Sequence, residues 1–297
     1  MNRRRFLTSA CASAASIPFL RPSLLFARAN KSPFITNIGL QLWTVRNQMA
    51  NDTAETLKAV ADAGYKQVEL MRVLGDADNI LPVANDHGMN VTSAFIDWQS
   101  VGNPHGDNVP SFDKILEKAE AKNLKFLVFG YIGKGHRETS DQFKNHAEAA
   151  NKAGEKCKKA GIQLCYHNHS FEFKPIGSTT GWDILVQEFD DELVKFELDV
   201  FWVKVGGFDP VATMKKLDGR IAQLHLKDIQ KGTGTIFDEG KVPHEAFQEL
   251  GDGTIDMKAI MELGEKIGVT QCHVEQDQSP NPIASIGQSM NHLIEQG

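Results

Sequence analysis

Residues 160–169 read Ala-Gly-Ile-Gln-Leu-Cys-Tyr-His-Asn-His, and this stretch contains the pattern that decides the fold. Gly161 follows an amphipathic segment, at the position where a glycine commonly ends a helix before a strand. The run Gln163–His167 is typical of a buried β-strand, and polar residues follow it directly. A helix end, a strand and the start of a polar loop therefore succeed one another within one short segment.

The same unit recurs along the chain from Ile38 onward. Amphipathic helices are predicted between the strands, for example at Thr53–Ala63, Pro110–Lys122, Ser140–Ala160 and Met257–Ile267. Eight such units without a break in composition favour one closed α/β barrel over an open sheet with a second domain. We therefore predict a single (β/α)8 TIM barrel. Its predicted strands are Ile38–Trp43, Gln67–Met71, Val91–Ile96, Lys125–Phe129, Gln163–His167, Lys195–Asp199, Ile221–Leu226 and Gln271–Glu275.

Five of these strands end in ionisable side chains. A charge or an imidazole is costly in a core, whereas the C-terminal strand ends of a parallel barrel are where catalytic groups lie. The segments read Val68-Glu69-Leu70, Tyr166-His167-Asn168-His169, Glu197-Leu198-Asp199, Leu224-His225-Leu226-Lys227-Asp228 and Val274-Glu275-Gln276-Asp277.

Four of these side chains, His167, Asp199, His225 and Glu275, make a mixed nitrogen and oxygen set. Such a set suits Mn, Co, Zn, Fe or Mg better than it suits a metal that prefers thiolates. Inward-pointing side chains at strand ends converge on the barrel axis, so ligands distant in sequence meet there. We expect the four to bind one divalent metal ion. The alternative is that they are hydrogen-bonded polar groups that cap the top of the barrel.

Other residues near the strand ends are candidates for catalysis. Glu275 and Glu69 are candidate general bases. Lys227 either stabilises an oxyanion or forms a structural ion pair with Asp228. The longest irregular stretch, residues 229–253, follows the seventh strand, and a loop of that length is commonly functional, for example as a lid.

Four residues are candidates for substrate binding: His169, Glu172, Trp43 and Trp202. His169 is expected to orient the substrate, and Glu172 to hold a ligand imidazole from outside the metal shell. The two tryptophans either stack on a sugar ring or pack at the rim of the barrel. His273 lies one layer deeper and is expected to be a packed histidine bonded to a carbonyl group.

The first 29 residues differ in kind from the rest. Asn2-Arg3-Arg4-Arg5-Phe6-Leu7 is similar to a twin-arginine export signal, and Ala27-Arg28-Ala29 fits an A-x-A cleavage site. A membrane anchor is the alternative, but Pro18, Arg21 and Pro22 interrupt the apolar run and leave it too short to span. We expect residues 1–29 to be a cleavable signal and residues 30–297 to form the barrel of a periplasmic or exported protein, without a stable membrane span.

The net charge of the chain limits the kinds of ligand that it is expected to bind. The signal segment contains five arginines and no acidic residue, so its removal takes the formal net charge from −6 to −11. An acidic protein does not gather polyanions by long-range attraction, which argues against nucleic acid as a ligand. A small molecule is therefore the expected partner, and assembly into homo-oligomers stays open.

The chain resembles the sugar phosphate isomerase/epimerase family, the xylose isomerase-like TIM barrels, over nearly all of Ile38–Ile294. This resemblance implies a divalent metal held at strands five to eight. It also implies a reaction that begins with removal of a proton beside the carbonyl group of a sugar or keto-sugar. The matching segments are Gly39–Trp43, Ala63-Gly64-Tyr65, Val68-Glu69, Tyr166–Phe173, Leu198-Asp199, Gly219–Asp228, Gly251–Asp256 and Val274–Asp277.

One position departs from the family. Its epimerases commonly have a glutamate on strand five that faces the glutamate of strand eight, with one base on each side of the substrate, and His167 stands there in this chain. A metal-bound imidazole has no free lone pair, which weakens a two-base epimerisation. We expect a metal-dependent sugar isomerase or epimerase. The first alternative is a keto-sugar lyase or dehydratase, such as one that acts by β-elimination on a 3-keto-glycoside, and the second is a non-catalytic sugar-binding barrel.

The export hypothesis predicts the mass of the mature protein. Intact-mass measurement on protein from the native envelope fraction is expected to give a chain that starts near Asn30, because cleavage follows Ala29. Deletion of residues 1–29 is expected to leave folding intact, since no predicted strand or helix of the barrel lies within them. A soluble cytoplasmic protein that retains Met1 would contradict the hypothesis.

Overall fold

The computed structural model describes residues 33–102 and 108–296. Eight strands form a closed barrel: β1 (Gly39–Gln41), β2 (Gln67–Leu70), β3 (Asn90–Phe95), β4 (Phe126–Gly130), β5 (Gln163–His167), β6 (Val194–Asp199), β7 (Ile221–Leu226) and β8 (Gln271–Val274). The α-helices of the described residues are α1 (Pro33–Thr36), α2 (Arg46–Asn51), α3 (Thr53–Asp62), α4 (Asp76–Asp86), α5 (Trp98–Gly102), α6 (Phe112–Ala121), α7 (Ser140–Lys159), α8 (Gly181–Glu188), α9 (Val200–Val205), α10 (Pro210–Lys216), α11 (Met257–Lys266) and α12 (Pro282–Gln296).

The strands pair in parallel with their neighbours in sequence, and β1 closes the ring against β8. The predicted TIM barrel is confirmed, and each predicted strand falls on an observed one. The largest difference is at β1, which ends at Gln41 because Leu42–Val45 turns into a 3₁₀-helix. The Gln41 side chain accepts the backbone N–H of Trp43, and this hydrogen bond caps the turn.

Several helices begin at side-chain caps that the sequence supplies. Asp52 accepts the backbone N–H of Glu55 at the start of α3. Thr139 and Gln142 form a reciprocal capping box at the start of α7. These caps satisfy backbone N–H groups that have no partner within the helix, so each crossover helix starts at a fixed place after its strand.

The strand register sets polar side chains in two layers inside the barrel. Glu197 and Asp199 are two residues apart on β6, so both point to the same side of the strand. Glu197 is beside His167 of β5, whereas Asp199 is beside His225 of β7. His225 is in turn beside His273 of β8. All five residues are buried, with at most 2% of their surface exposed.

The loop after β7 is partly ordered by short elements. Asp228–Ile229 pairs antiparallel with Phe247–Gln248, and between them lie two 3₁₀-turns at Glu239–Lys241 and His244–Ala246. The Asp228 carboxylate accepts the backbone N–H of Gly253, and a β-carbon at that glycine would overlap the carboxylate. Both ends of the loop are therefore anchored beside β7.

The predicted signal peptide, residues 1–29, lies outside the described residues. Within residues 33–102 and 108–296 no helix is long and apolar enough to cross a membrane.

The close approach of β4 to β5 predicts opposite effects for two glycine substitutions. A β-carbon at Gly130 would overlap the carbonyl oxygen of His167, so Gly130→Ala is expected to destabilise the protein by about 1–3 kcal/mol. Gly287, in α12, has open space around it. Gly287→Ala is therefore expected to stabilise the protein by about 0.5–1 kcal/mol. Urea unfolding of the two variants measures both changes, and equal stabilities would refute the packing argument.

Candidate active site

A cavity of about 710 Å³ opens at the C-terminal mouth of the barrel. Its volume is within the range of small-molecule sites, about 300–1,000 Å³. Six of the residues predicted from the sequence lie on its wall: Trp43, His167, His169, Trp202, Lys227 and Glu275. Glu69 and Glu172 are fully buried and lie behind this wall, so the structure does not bring either carboxylate to the cavity.

The four predicted metal ligands come together. His167, Asp199, His225 and Glu275 each offer one nitrogen or oxygen atom, and these atoms all lie within 4.8 Å of one another. His225 Nδ1 is 2.9 Å from Glu275 Oε2 and 3.9 Å from Asp199 Oδ2. His167 Nε2 is 3.8 Å from Asp199 Oδ2. We call these four residues the upper cluster, and their role as metal ligands stays a prediction.

Asp199 is held in place by contacts on both sides of it. Its Oδ1 accepts the backbone N–H of Trp202 at 2.9 Å, which caps α9. Asn168, in the loop after β5, exchanges two hydrogen bonds with the Asp199 backbone. These contacts use one carboxylate oxygen and leave Oδ2 directed at the upper cluster. Burial raises the pKa of Asp199 to about 6, although Lys227 opposes this shift.

Lys227 is the buried cation at the mouth of the barrel. Its Nζ is 2.6 Å from Glu275 Oε2, 2.7 Å from Asp277 Oδ2 and 3.1 Å from Asp199 Oδ2. The expected alternative, an ion pair with Asp228, does not form, because the Asp228 carboxylate accepts backbone N–H groups instead. Burial alone would raise the pKa of Glu275, but Lys227 and His225 hold it down at about 2.

His169 and Glu172 form a separate pair. Both oxygens of the Glu172 carboxylate accept the His169 backbone N–H, and the Tyr166 hydroxyl donates to Oε1 at 2.7 Å. Glu172 therefore fixes the backbone of His169 and does not touch a ligand imidazole. Burial raises the pKa of Glu172 to about 7 and lowers the pKa of His169 to about 3, so His169 is neutral at pH 7.

A second polar layer lies beneath the upper cluster. It consists of the carboxylates of Glu69 and Glu197, which are directed at the imidazoles of His225 and His167, together with His273. Among the described residues neither ring nitrogen of His273 has a hydrogen-bond partner. The expected bond from His273 to a carbonyl group is therefore wrong. Its ring packs against Gly39, where a β-carbon would overlap it.

Sequence reasoning missed the wall that loops contribute to the cavity. Glu239 and His244, from the loop after β7, line it, as does Tyr131, which follows β4 with a φ of 53°. Glu239 is held by Arg137 at 2.7 Å in a buried ion pair, and the Arg137 guanidinium stacks 3.7 Å from the Phe171 ring. The sequence indicated only that residues 229–253 form a long loop, and the length of that loop does not reveal its contacts with Arg137 or with the cavity.

The upper cluster fits a divalent cation. Two imidazoles and two carboxylates supply the hard and intermediate donors that such an ion takes. Within residues 33–102 and 108–296, Asp199 Oδ2 is buried and accepts no hydrogen bond, although Lys227 Nζ is near it. The same ammonium also contacts Glu275 and Asp277, so one lysine charge is shared among three carboxylates, and a divalent cation would offset the remaining negative charge.

Comparison with known proteins decides the family. Residues 57–296 match the model of the xylose isomerase-like TIM barrel. The chain belongs to this family. Since the match includes β2 to β8, it contains the whole upper cluster and the layer beneath it.

Three known proteins illustrate what the chain is similar to. The inosose dehydratase of Mesomycoplasma hyopneumoniae is 28% identical over 262 residues, which are 80% of this chain and 86% of that protein. A sugar phosphate isomerase/epimerase from Parabacteroides distasonis is 25% identical with a TM-score of 0.70, over 86% of this chain and 93% of its own. The IolI protein, whose structure has a bound zinc atom, is 14% identical with a TM-score of 0.67 over 88% and 97% of the two chains, and shows the fold alone.

The Arg137–Glu239 ion pair predicts a large effect of one substitution on stability. Both side chains are at most 7% exposed, so Arg137→Ala leaves a buried carboxylate unpaired and is expected to cost about 3–5 kcal/mol. Lys134→Ala is the matched control, because its ion pair with Asp238 joins the same two segments at the surface. Urea unfolding gives the stabilities, and limited proteolysis reports opening of residues 229–253. If the two variants behave alike, the buried pair does not anchor the loop.

Proposed function

We propose that this protein is a metal-dependent lyase of the dehydratase type that acts on a keto-sugar. It removes the proton beside the carbonyl group and expels the oxygen substituent on the next carbon. The observation that carries the proposal is the placement of groups able to accept a proton. The carboxylates of Glu275 and Asp277 follow β8, whereas β5 and the residues directly after it contribute the imidazoles of His167 and His169 to the cavity.

His167 is a poor candidate for a second base. Its Nδ1 is 3.1 Å from Glu197 Oε2, and its Nε2 faces the upper cluster. Both nitrogens are therefore engaged, and neither is left to accept a proton from carbon. An elimination needs one base, whereas a two-base epimerisation needs one on each side of the substrate.

A divalent ion in the upper cluster would be held by His167, Asp199, His225 and Glu275. When bound, it supplies Lewis-acid stabilisation of negative charge that develops on a carbonyl oxygen. The donor set and the three carboxylates that share the Lys227 ammonium support this assignment, and a zinc atom in the structurally similar IolI protein agrees with it.

The residues of the chain account for each step of the elimination. Glu275 accepts the proton from the α-carbon, and the electrons of that C–H bond form an enolate. Lys227, 2.6 Å from Glu275, keeps this carboxylate ionised and adds positive charge to the same side of the cavity. As the enolate collapses, the bond from the β-carbon to oxygen breaks. The oxygen leaves with the electron pair and takes the proton back from Glu275, which gives an unsaturated ketone and water or an alcohol.

The shape of the cavity supports a substituted substrate. Trp43 and Tyr131 line it and are 45% and 50% exposed, so aromatic surface at its opening is accessible to solvent. Trp202 lines the cavity from a buried position. This surface offers room for a group attached to the sugar beyond the reacting ring. The family relatives named inosose dehydratase support elimination as the reaction.

Isomerisation or epimerisation is the second candidate. His169 favours it, because its buried Nδ1 has no hydrogen-bond partner among the described residues and its side chain lines the cavity. A neutral imidazole at this place could act from the side opposite Glu275. The similarity to the sugar phosphate isomerase/epimerase of Parabacteroides distasonis agrees with this reaction class.

Substitution of Glu275 tests the proposed role of this residue. With the metal-supplemented protein and a panel of keto-sugars in deuterated water, NMR is expected to show an unsaturated product and a released alcohol or water. Glu275→Gln removes the base and is expected to lower turnover by about 10²–10⁴-fold. Glu262→Gln, an exposed change on the outer helix α11, is the matched control and is expected to turn over normally.

Three other outcomes would contradict the proposed metal-dependent lyase activity. Deuterium incorporation with inversion of one stereocentre, and without an unsaturated product, would indicate an epimerase with His169 as the second base. Binding without any exchange would indicate a sugar-binding barrel. Undiminished turnover after removal of the metal by a chelator would exclude the metal-dependent reaction.

A further inference from the structure

In the layer beneath the upper cluster, two carboxylates contact imidazoles of that cluster. Neither the set of predicted metal ligands nor the proposed reaction by itself requires these contacts. Glu69 and Glu197 are fully buried. Glu69 Oε2 is 2.7 Å from His225 Nε2. Glu197 Oε2 is 3.1 Å from His167 Nδ1 and also 3.2 Å from His225 Nε2, so it faces the distal nitrogens of both imidazoles. Each carboxylate thus contacts the nitrogen of a ligand imidazole that points away from the upper cluster.

We propose that Glu69 and Glu197 are positioning residues that fix opposite tautomers of the two imidazoles, with the proton on Nε2 of His225 and on Nδ1 of His167. This inference rests on the metal of the proposed function. In these tautomers His225 Nδ1 and His167 Nε2 each present a lone pair to the upper cluster. A carboxylate that accepts the distal N–H of a metal-bound histidine orients its ring and increases its basicity.

The carboxylates themselves are held by neutral donors. Glu69 Oε2 accepts Gln41 Nε2 at 2.8 Å, and its Oε1 accepts the Ser93 hydroxyl. Glu197 Oε1 accepts Gln223 Nε2 at 3.0 Å, and the same amide reaches Ser93 Oγ at 3.1 Å. These donors bind carboxylate oxygens in addition to the imidazoles. The two carboxylates therefore have fixed orientations, as acceptors that select a tautomer must.

The same layer could instead hold an ion of its own, because Glu69, Glu197, His225 and His273 also bring one ligand atom each within 4.8 Å of one another. The hydrogen bonds argue against it, since both carboxylates already accept N–H or O–H groups from several sides. An ion would have to displace these donors and remove the proton from His225 Nε2. The stoichiometry of metal binding decides between the two roles.

Nitrogen NMR of histidine-labelled protein loaded with zinc reads the tautomers directly. The expected result is one ligand histidine that bears its proton on Nδ1 and another that bears it on Nε2, assigned with His167→Gln. Two ligand histidines with the same tautomer would overturn the proposal. This measurement uses the unsubstituted protein for its main result, so it does not depend on whether a variant folds.

Metal affinity gives an independent readout. Glu69→Gln and Glu197→Gln are each expected to weaken zinc binding by about 10–100-fold in competition with a chelator. Glu172→Gln is the matched control, because this carboxylate is equally buried and holds Tyr166 and the His169 backbone rather than a ligand imidazole. Its zinc affinity is expected to stay unchanged. Wild-type affinity in both folded test variants would overturn the proposal.

The outcomes separate this inference from the proposed function. If the unsubstituted protein binds no divalent metal at all, the metal of the proposed function and the inference fail together. One zinc per chain with unaltered affinity in the variants overturns the positioning role alone. Two zinc ions per chain, of which His273→Ala loses one, would make the deep layer a metal site and likewise overturn the positioning role.

Discussion

The arrangement at the barrel mouth depends on how five carboxylates, four of them buried and that of Asp277 partly exposed, are compensated. Glu69, Glu197, Asp199, Glu275 and Asp277 face one another inside the C-terminal end of the barrel, where an unpaired charge costs several kcal/mol. Lys227 supplies one positive charge by direct contact. Burial opposes protonation of His225, but contacts with the carboxylates of Glu197, Glu69 and Glu275 raise its pKa well above the ordinary value. A divalent ion would take the place of that proton, which makes the charge balance itself an argument for metal.

The barrel backbone places these charged groups next to the residues that compensate them. Parallel pairing places residues of neighbouring strands side by side. Asp199 and His225 are therefore adjacent because of the strand register, independently of any loop conformation. Side chains two residues apart on one strand then form successive layers, as Glu197 and Asp199 do. The helices outside, started by their own caps, hold the strands at this register. Mobility would be harmful here, because a small shift of one strand would move a whole layer of hydrogen bonds.

The fold and the upper cluster could be predicted from sequence because both follow from local patterns. Apolar runs of strand length mark β1 to β8, and a charge or imidazole at the end of such a run is a conspicuous exception. The second layer could be predicted only in part. Glu69 and Glu197 were identified in the sequence as ionisable, but the residues that hold them, Gln41, Ser93 and Gln223, are polar residues in unremarkable runs. Tyr131, Arg137 and Glu239 could not be predicted at all. Their roles depend on how loops fold back over the mouth of the barrel. The length of a loop does not predict which of its residues reach the cavity.

Hydrogen bonds link the upper cluster and the layer beneath it into one network, and this has a consequence for how the site works. His225 contacts Glu275 with one nitrogen and Glu69 with the other, so a change at Glu275 alters the environment of a carboxylate that no substrate reaches. Residues within such a network do not contribute independently, because each loss leaves other buried groups unsatisfied. The side chains of Trp43 and Tyr131 are exposed and line the cavity outside this buried network, although the Trp43 backbone N–H bonds to Gln41, which also donates to Glu69. The site thus consists of a buried, hydrogen-bonded centre and a more exposed aromatic rim.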